Sequence, residues 1–177
     1  PKSKGGAGDP SPVTAYGVYM GMKAAAKKAF GTDSLQGKKI GVQGVGQVGK
    51  YLLNYLVKEG AELMITDIFE DKLKEVAAAT GATVVDSNLL YDMPMDIYAP
   101  CALGATINDQ TIDRLTCKVI AGGANNQLED EAKHGKILME KGIIYAPDFL
   151  NNAGGVINVG AEYYGAYQAE TVFAQTE

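Results

Sequence analysis

Long apolar runs are missing from this chain, and none approaches the roughly 18 residues that would suggest a membrane span. No charged, then apolar, leader opens it. Excess positive charge is missing too. The formal net charge is −5 over 177 residues, which argues against broad nucleic-acid binding, since that needs clustered Lys and Arg facing phosphates. Cysteine is scarce. Cys101 and Cys117 form no CxxC or Cys/His cluster, so neither a disulfide framework nor a metal site is expected. Reduced thiols suit a cytoplasmic protein. Histidine is scarcer still. His134 stands alone in "EAKHGKIL" and reads as a surface helix residue rather than a catalytic base.

What is present is an ordinary globular composition, 46% hydrophobic and 21% charged, on a chain long enough for one sizeable core. Residues 1–9 are small and polar and read as a flexible arm. Then "PSPVTA" starts a helix, with Ser11 as N-cap and Pro12 as its first residue. It runs to about residue 30, where Gly31 can take a left-handed C-terminal turn. Beyond it, short apolar runs at 40–43, 62–66, 82–84, 96–99, 118–121 and 143–145 read as strands. Helical patterns at 47–58, 70–79, 108–115, 130–141 and 149–164 fill the gaps. Apolar strands with helical crossovers predict a doubly wound, mainly parallel α/β sheet of the Rossmann type with helices on both faces. Residues 1–177 read as a single domain.

The segment "GVGQVG" spans Gly44 to Gly49, between the first expected strand and the next helix. Such a pattern alone is weak, but here its context fits a dinucleotide mechanism. Gly44 permits a tight turn, Gly46 admits a pyrophosphate to the backbone, and Gly49 lets the helix pack near the strand. The helix start offers free N–H groups to phosphates. Asp67 ends the second strand, where a carboxylate accepts from ribose hydroxyls and repels a 2′-phosphate. Ile68 and Phe69 follow, with no Arg at hand, so NAD is favoured over NADP. Three further loops, "YAPCALGA", "AGGANNQL" and "YAPDFLNNAGGVINVG", leave the carboxyl ends of later strands. Asn125, Asn126, Asn151 and Asn152 could each cap a helix or contact a ligand.

The segments "GDPSPVTAYGVYMGMKAAAK", "GVGQVG", "DIYAPCALGATIND", "VIAGGANNQL" and "YAPDFLNNAGGVINV" together resemble the Glu/Leu/Phe/Val amino-acid dehydrogenase family, and within it the leucine-acting branch. The resemblance runs from Gly8 to about Gly165. It implies that Gly44, Val45, Gly46, Gln47, Val48 and Gly49 hold the pyrophosphate and that Asp67 and Ile68 meet the adenosine ribose. Thr14 would contact the nicotinamide carboxamide, Cys101 and Ala102 would lie along the cofactor, and Asn125 and Asn152 would sit near the nicotinamide ribose and carboxamide. Val156 and Val159 would line the substrate side-chain pocket. Where glutamate dehydrogenases resemble one another in a serine that bonds the substrate carboxylate, this chain has Val159, which suits a branched aliphatic side chain. The implied reaction is reversible oxidative deamination of an L-amino acid with NAD, with only small-molecule partners and no nucleic acid or membrane. The parent would be a cytoplasmic homo-oligomer. The family's catalytic lysines and aspartate belong to a substrate domain upstream, so no catalytic residue is expected here, and the chain alone is expected to be inactive. A stand-alone regulatory dinucleotide-sensing module is the alternative.

Overall fold

The computed structural model describes residues 8–165 and 167–177; most of the expected arm lies outside them. Six parallel strands form one sheet in the order β3-β2-β1-β4-β5-β6. They are β1 (Lys39–Gln43), β2 (Glu62–Thr66), β3 (Thr83–Val84), β4 (Ile97–Pro100), β5 (Val119–Ile120) and β6 (Ile144–Tyr145). From β1 the chain builds outward to β3, then returns past β1 and builds the other way from β4. The reversal falls between β1 and β4, which pair from Ile40↔Ile97 to Gln43↔Pro100. Ligands on such sheets bind beyond the carboxyl ends of the strands at this reversal.

Strand side chains alternate between two cores. Ile40, Val42, Ile65, Ile97, Ala99 and Val119 face helices α1 (Ser11–Phe30), α2 (Gln47–Lys58) and α3 (Glu70–Thr80). Tyr98 and Ile120 face the other way, against Leu90, Ile107, Ile112 and Leu138; Leu138 belongs to α4 (Glu131–Glu140). Burial on both faces is why the strands read as unbroken apolar runs. On the second face Gly41 makes room for its cover, since a Cβ there would lie 2.9 Å from Met95 Sδ.

Several expectations need correction. Ser11 is not the N-cap of α1. Pro10 holds that position, and the Asp9 carboxylate accepts from the Ser11 N–H at 2.9 Å and the Ser11 hydroxyl at 2.7 Å. Pro10 and Pro12 have no N–H, so the Ser11 amide is the first free donor, and Asp9 reaches it. Asp9 is therefore engaged rather than loose. Residues 108–115 form no helix; 109–114 are successive turns. Asn108 Oδ1 takes the Gln110 N–H and the Thr111 hydroxyl donates to Thr106 O, and such local side-chain bonds compete with a helix. The expected helix at 149–164 is two, α5 (Asp148–Asn151) and α6 (Ala153–Tyr163), broken at Asn152. A further helix, α7 (Ala169–Thr176), and a 3-10 turn, Leu90–Asp92, add to the expected elements.

His134 is buried, not on the surface. Its Nδ1 accepts the Asp130 N–H at 3.0 Å and its Nε2 faces Asp109 Oδ1 at 3.0 Å. The polar neighbours in the sequence conceal this, because the ring folds back over the start of its own helix. Lys23, on α1, is half-buried and pairs with Glu59 at 2.7 Å.

Candidate functional site

The glycine loop is shaped by two close approaches and one open space. Gly44 has φ +100°, and a Cβ there would lie 2.7 Å from Ala102 Cβ. A Cβ on Gly49 would lie 2.2 Å from Gly44 O, so α2 can start against the loop only without one. Around Gly46 the opposite holds, since no atom lies within 4 Å of such a Cβ. That open space stands before the first turn of α2, where N–H groups are free and the helix dipole favours an anion. Val45 is buried and contributes through its backbone; Gln47 is exposed and Val48 half-buried.

Asp67 closes this end. Its Oδ2 accepts the Val45 N–H at 2.7 Å and its Oδ1 accepts the Phe69 N–H at 3.0 Å. A carboxylate has about four acceptor positions, so two remain free. Ile68 and Phe69 project into solvent. A groove of about 340 Å³ runs from Thr66 and Asp67 past Glu70 and Lys74 to Asp86 and Ser87. Lys74 is a cation that sequence reasoning misses, because it lies on α3 and not beside Asp67. It faces Glu70 at 3.8 Å.

Cys101 follows β4, its N–H donating to Gln43 O at 2.7 Å. Its thiol is recessed although the residue as a whole is partly exposed. Burial pushes it up to about 11, so at neutral pH it is a small apolar surface and not a nucleophile. Cys117 is likewise free and buried, pushed up by burial to about 12. Among the described residues no cluster of metal-ligating side chains occurs.

The remaining expected residues gather at the same edge. The loop after β4 touches the loop after β5: the Ala105 N–H donates to Asn126 O at 2.7 Å, and a Cβ on Gly104 would lie 2.6 Å from Asn125 O. Ala105 and Asn126 both take left-handed backbone, φ 58° and 51°, a conformation that an alanine adopts only under constraint. Asn152 Nδ2 donates to Asn125 Oδ1 at 2.7 Å, joining the loops after β5 and β6. Asp148 accepts the Asn126 N–H as well. Gly155 faces Thr14, and a Cβ on Gly155 would lie 2.7 Å from Thr14 Oγ1; that hydroxyl donates to Pro10 O at 3.1 Å. Beyond Gly155, exposed Val156 and Val159 line an open apolar groove of about 670 Å³ with Pro10, Tyr163 and Tyr164. Sequence reasoning misses the two tyrosines and the Asp86–Ser87 end of the first groove. Tyr163 repeats the helical spacing of Val156 and Val159, which is the signal that could have found it.

No helix among the described residues is long and apolar enough to cross a membrane. The family model for glutamate/leucine/phenylalanine/valine dehydrogenase matches residues 5–67 and 62–175. A leucine dehydrogenase of Bacillus subtilis is 58% identical over 98% of this chain, and one of Bacillus cereus 57% over 99%. The chain spans about half the length of these curated relatives, 47% in both cases. The crystal structure of L-tryptophan dehydrogenase from Nostoc punctiforme superposes with a TM-score of 0.93 at 45% identity, covering 96% of this chain and 51% of that one. A hetero-hexameric glutamate dehydrogenase from Thermus thermophilus shares the fold, with a TM-score of 0.75 at 19% identity over 94% of this chain and 44% of that one. The chain belongs to the glutamate/leucine/phenylalanine/valine dehydrogenase family.

Proposed function

We propose that this chain is the NAD-binding part of a longer, cytoplasmic, homo-oligomeric amino-acid dehydrogenase. That enzyme interconverts a branched-chain, leucine-like L-amino acid with its 2-oxo acid, ammonia and NADH. The carrying observation is the Asp67 carboxylate, bonded to the glycine loop through the Val45 N–H with acceptor positions to spare. Those positions suit the adenosine ribose hydroxyls. A 2′-phosphate beside them would meet a like charge, with Lys74 as the nearest cation along the groove and Glu70 already beside it.

The open space at Gly46 and the start of α2 take the pyrophosphate. Thr14, Asn125 and Asn152 hold the nicotinamide ribose and carboxamide, and Cys101 and Ala102 lie along the cofactor. Val156 and Val159 form an aliphatic wall without a donor for a side-chain carboxylate. A nicotinamide bound there would supply the acceptor for hydride from the amino-acid Cα. This chain binds and orients; the proton-transferring groups lie in a second domain that closes over the apolar groove and excludes water. Relatives more than 55% identical bear the name leucine dehydrogenase, while those named for tryptophan and phenylalanine are at 44–45%. None of these relatives lends support to a stand-alone sensing module, which would need no apolar face at Val156 and Val159.

Calorimetric titration with NADH and NADPH tests the reading. NADH is expected to bind and NADPH to bind much more weakly, while L-leucine with NAD gives no turnover on this chain alone. Equal affinity for the two nucleotides would remove Asp67 from its assigned role.

A further inference from the structure

Thr14, Asn125 and Asn152 stand on three segments far apart in sequence, and one buried side chain meets all three segments. Asn151 is 3% exposed. Its Nδ2 donates to Gly122 O at 3.1 Å, in the loop that carries Asn125. Its Oδ1 enters a notch in α1, the helix that carries Thr14. The notch exists because residue 21 is glycine: a Cβ there would lie 1.8 Å from Asn151 Oδ1 and 3.0 Å from its Cγ. One turn earlier, a Cβ on Gly17 would lie 3.0 Å from the Asn151 backbone oxygen. Asn151 is also the chain neighbour of Asn152.

The side chain is not a helix cap. The backbone closes α5 unaided, the Asn151 N–H donating to Pro147 O at 2.9 Å. Nor is Gly122 O in need of this donor, since Gln127 Nε2 reaches it at 3.0 Å. Gly122 is itself wedged against β4, where a Cβ would lie 2.1 Å from Pro100 O. The Asn151 amide therefore ties the start of α6 to a fixed point on the sheet and to a fixed socket on α1. Replacing it would leave no orphaned carbonyl at Gly122. What changes is where Asn152 stands relative to Asn125 and Thr14.

We propose that Asn151 is a positioning residue that sets Asn152 and Asn125 against the nicotinamide half of the cofactor, with Gly21 as its socket. The proposal rests on the NAD reading above. It separates the two halves of the ligand, because the Asn151 side chain bonds Gly122 O and seats on Gly21, not on the glycine loop or Asp67.

The test uses the 177-residue chain and two probes, NADH and ADP-ribose, which lacks the nicotinamide. In Asn151→Ala, NADH affinity is expected to fall about tenfold, the size of one or two lost hydrogen bonds, while ADP-ribose affinity stays within about twofold. Gly21→Ala, at a position that meets no ligand, is expected to give the same selective loss, because its methyl group displaces the amide. Asn151→Leu keeps the branched outline of the side chain without its polar atoms and serves if the alanine variant does not fold. Equal weakening of both probes would mean a general structural role and overturn the proposal. Unchanged NADH affinity in all three variants would overturn it too. Failure of the unmodified chain to bind either probe would instead sink the cofactor reading itself, and the positioning role with it.

Discussion

The two ends of the candidate site are built differently. At the glycine loop the chain closes on itself through backbone and near neighbours: Gly44 N–H to Thr66 O at 2.8 Å, Val45 N–H to Asp67, and Gly49 packed on Gly44 O. These three contacts lie within one strand–helix–strand unit, and Ala102, from the loop after β4, packs on Gly44 from outside it. The other end draws on α1, the loop after β5 and the α5–α6 junction. Its central contact, Asn152 to Asn125, is between two side chains at the surface. The first end is a preformed cradle whose shape follows from glycines. The second is an assembly whose shape follows from packing between distant segments, so the first should fail sharply when altered and the second by degrees.

Gly49→Ala is the most severe break. The added methyl would meet backbone, 2.2 Å from Gly44 O, so no side chain can swing away. Overpacking of this kind costs roughly 1–3 kcal/mol, and the loop must shift where the pyrophosphate would lie. Urea denaturation and NADH titration are expected to show both losses, with binding no longer measurable. Near-normal affinity would mean that the loop's shape is not what holds the phosphates.

Asp67→Ala comes next. The buried Val45 N–H loses its acceptor, a loss worth about 1–3 kcal/mol, and on the proposed reading an adenosine ribose would lose its partner. NADH binding should weaken at least tenfold, and the preference over NADPH should shrink toward parity as the repelling charge goes. A preference that survives the substitution would place nucleotide selection elsewhere in the groove, with Glu70 the first suspect.

The same contrast explains which features are legible in the sequence. The strands, α2 and the glycine cradle are legible because their signals are local: an apolar run, a helical stripe, and glycine where a side chain cannot fit. Gln47–Lys58 and Glu62–Thr66 fall where expected. The edge of the sheet that carries Asn125 and Asn152 is legible from the order of strands. What Asn151 does is not, since its partners are Gly21 and Gly122, and only the fold brings them together. His134 misleads because polar neighbours in sequence hide a ring that covers the start of its own helix, and the turns at 109–114 because Asn108 and Thr111 turn their side chains to local backbone.

The α1–α2 pair links the two ends, with Thr14 near the start of one helix and Gly46 capping the other. Glu59, at the far end of α2, accepts from Lys23 at 2.7 Å, from the Tyr19 hydroxyl and from the Leu35 N–H at 3.4 Å. The Lys23 ammonium, and then the Tyr19 hydroxyl, hold the Glu59 carboxyl below its ordinary 4.5. A carboxyl depressed in the folded state contributes stability that is fully present above its unfolded value and is lost as pH falls through the folded one. Lys23 is raised above 10.5, chiefly by its bond to Glu59, so its share is present below 10.5 and lost as pH rises through the folded value. Glu59→Gln is expected to flatten both limbs of the stability–pH curve modestly. NADH affinity at pH 7 should change little if the helix pair is held mainly by its apolar face. A large loss of affinity would show that the ion pair sets the spacing between the two ends.

Val159→Ser should have the smallest effect on this chain, and its smallness is informative. Val159 is 54% exposed and packs on neither core. Exposed substitutions away from special features usually change stability by no more than about 0.5 kcal/mol. The side chain also faces the open groove with Val156 and not the Asn125–Asn152 contact. Both the thermal midpoint and NADH affinity should therefore stay at their unmodified values. In the proposed longer enzyme the same change should be felt, because the groove wall would lose apolar contact with a leucine side chain, worth roughly 1–3 kcal/mol in kcat/KM. No change on the chain together with a weakened leucine-to-norvaline ratio in the enzyme divides the second end of the site into a cofactor part and a substrate part. A drop in NADH affinity for the isolated chain would instead put Val159 against the nicotinamide and leave the substrate wall to Val156 and Tyr163.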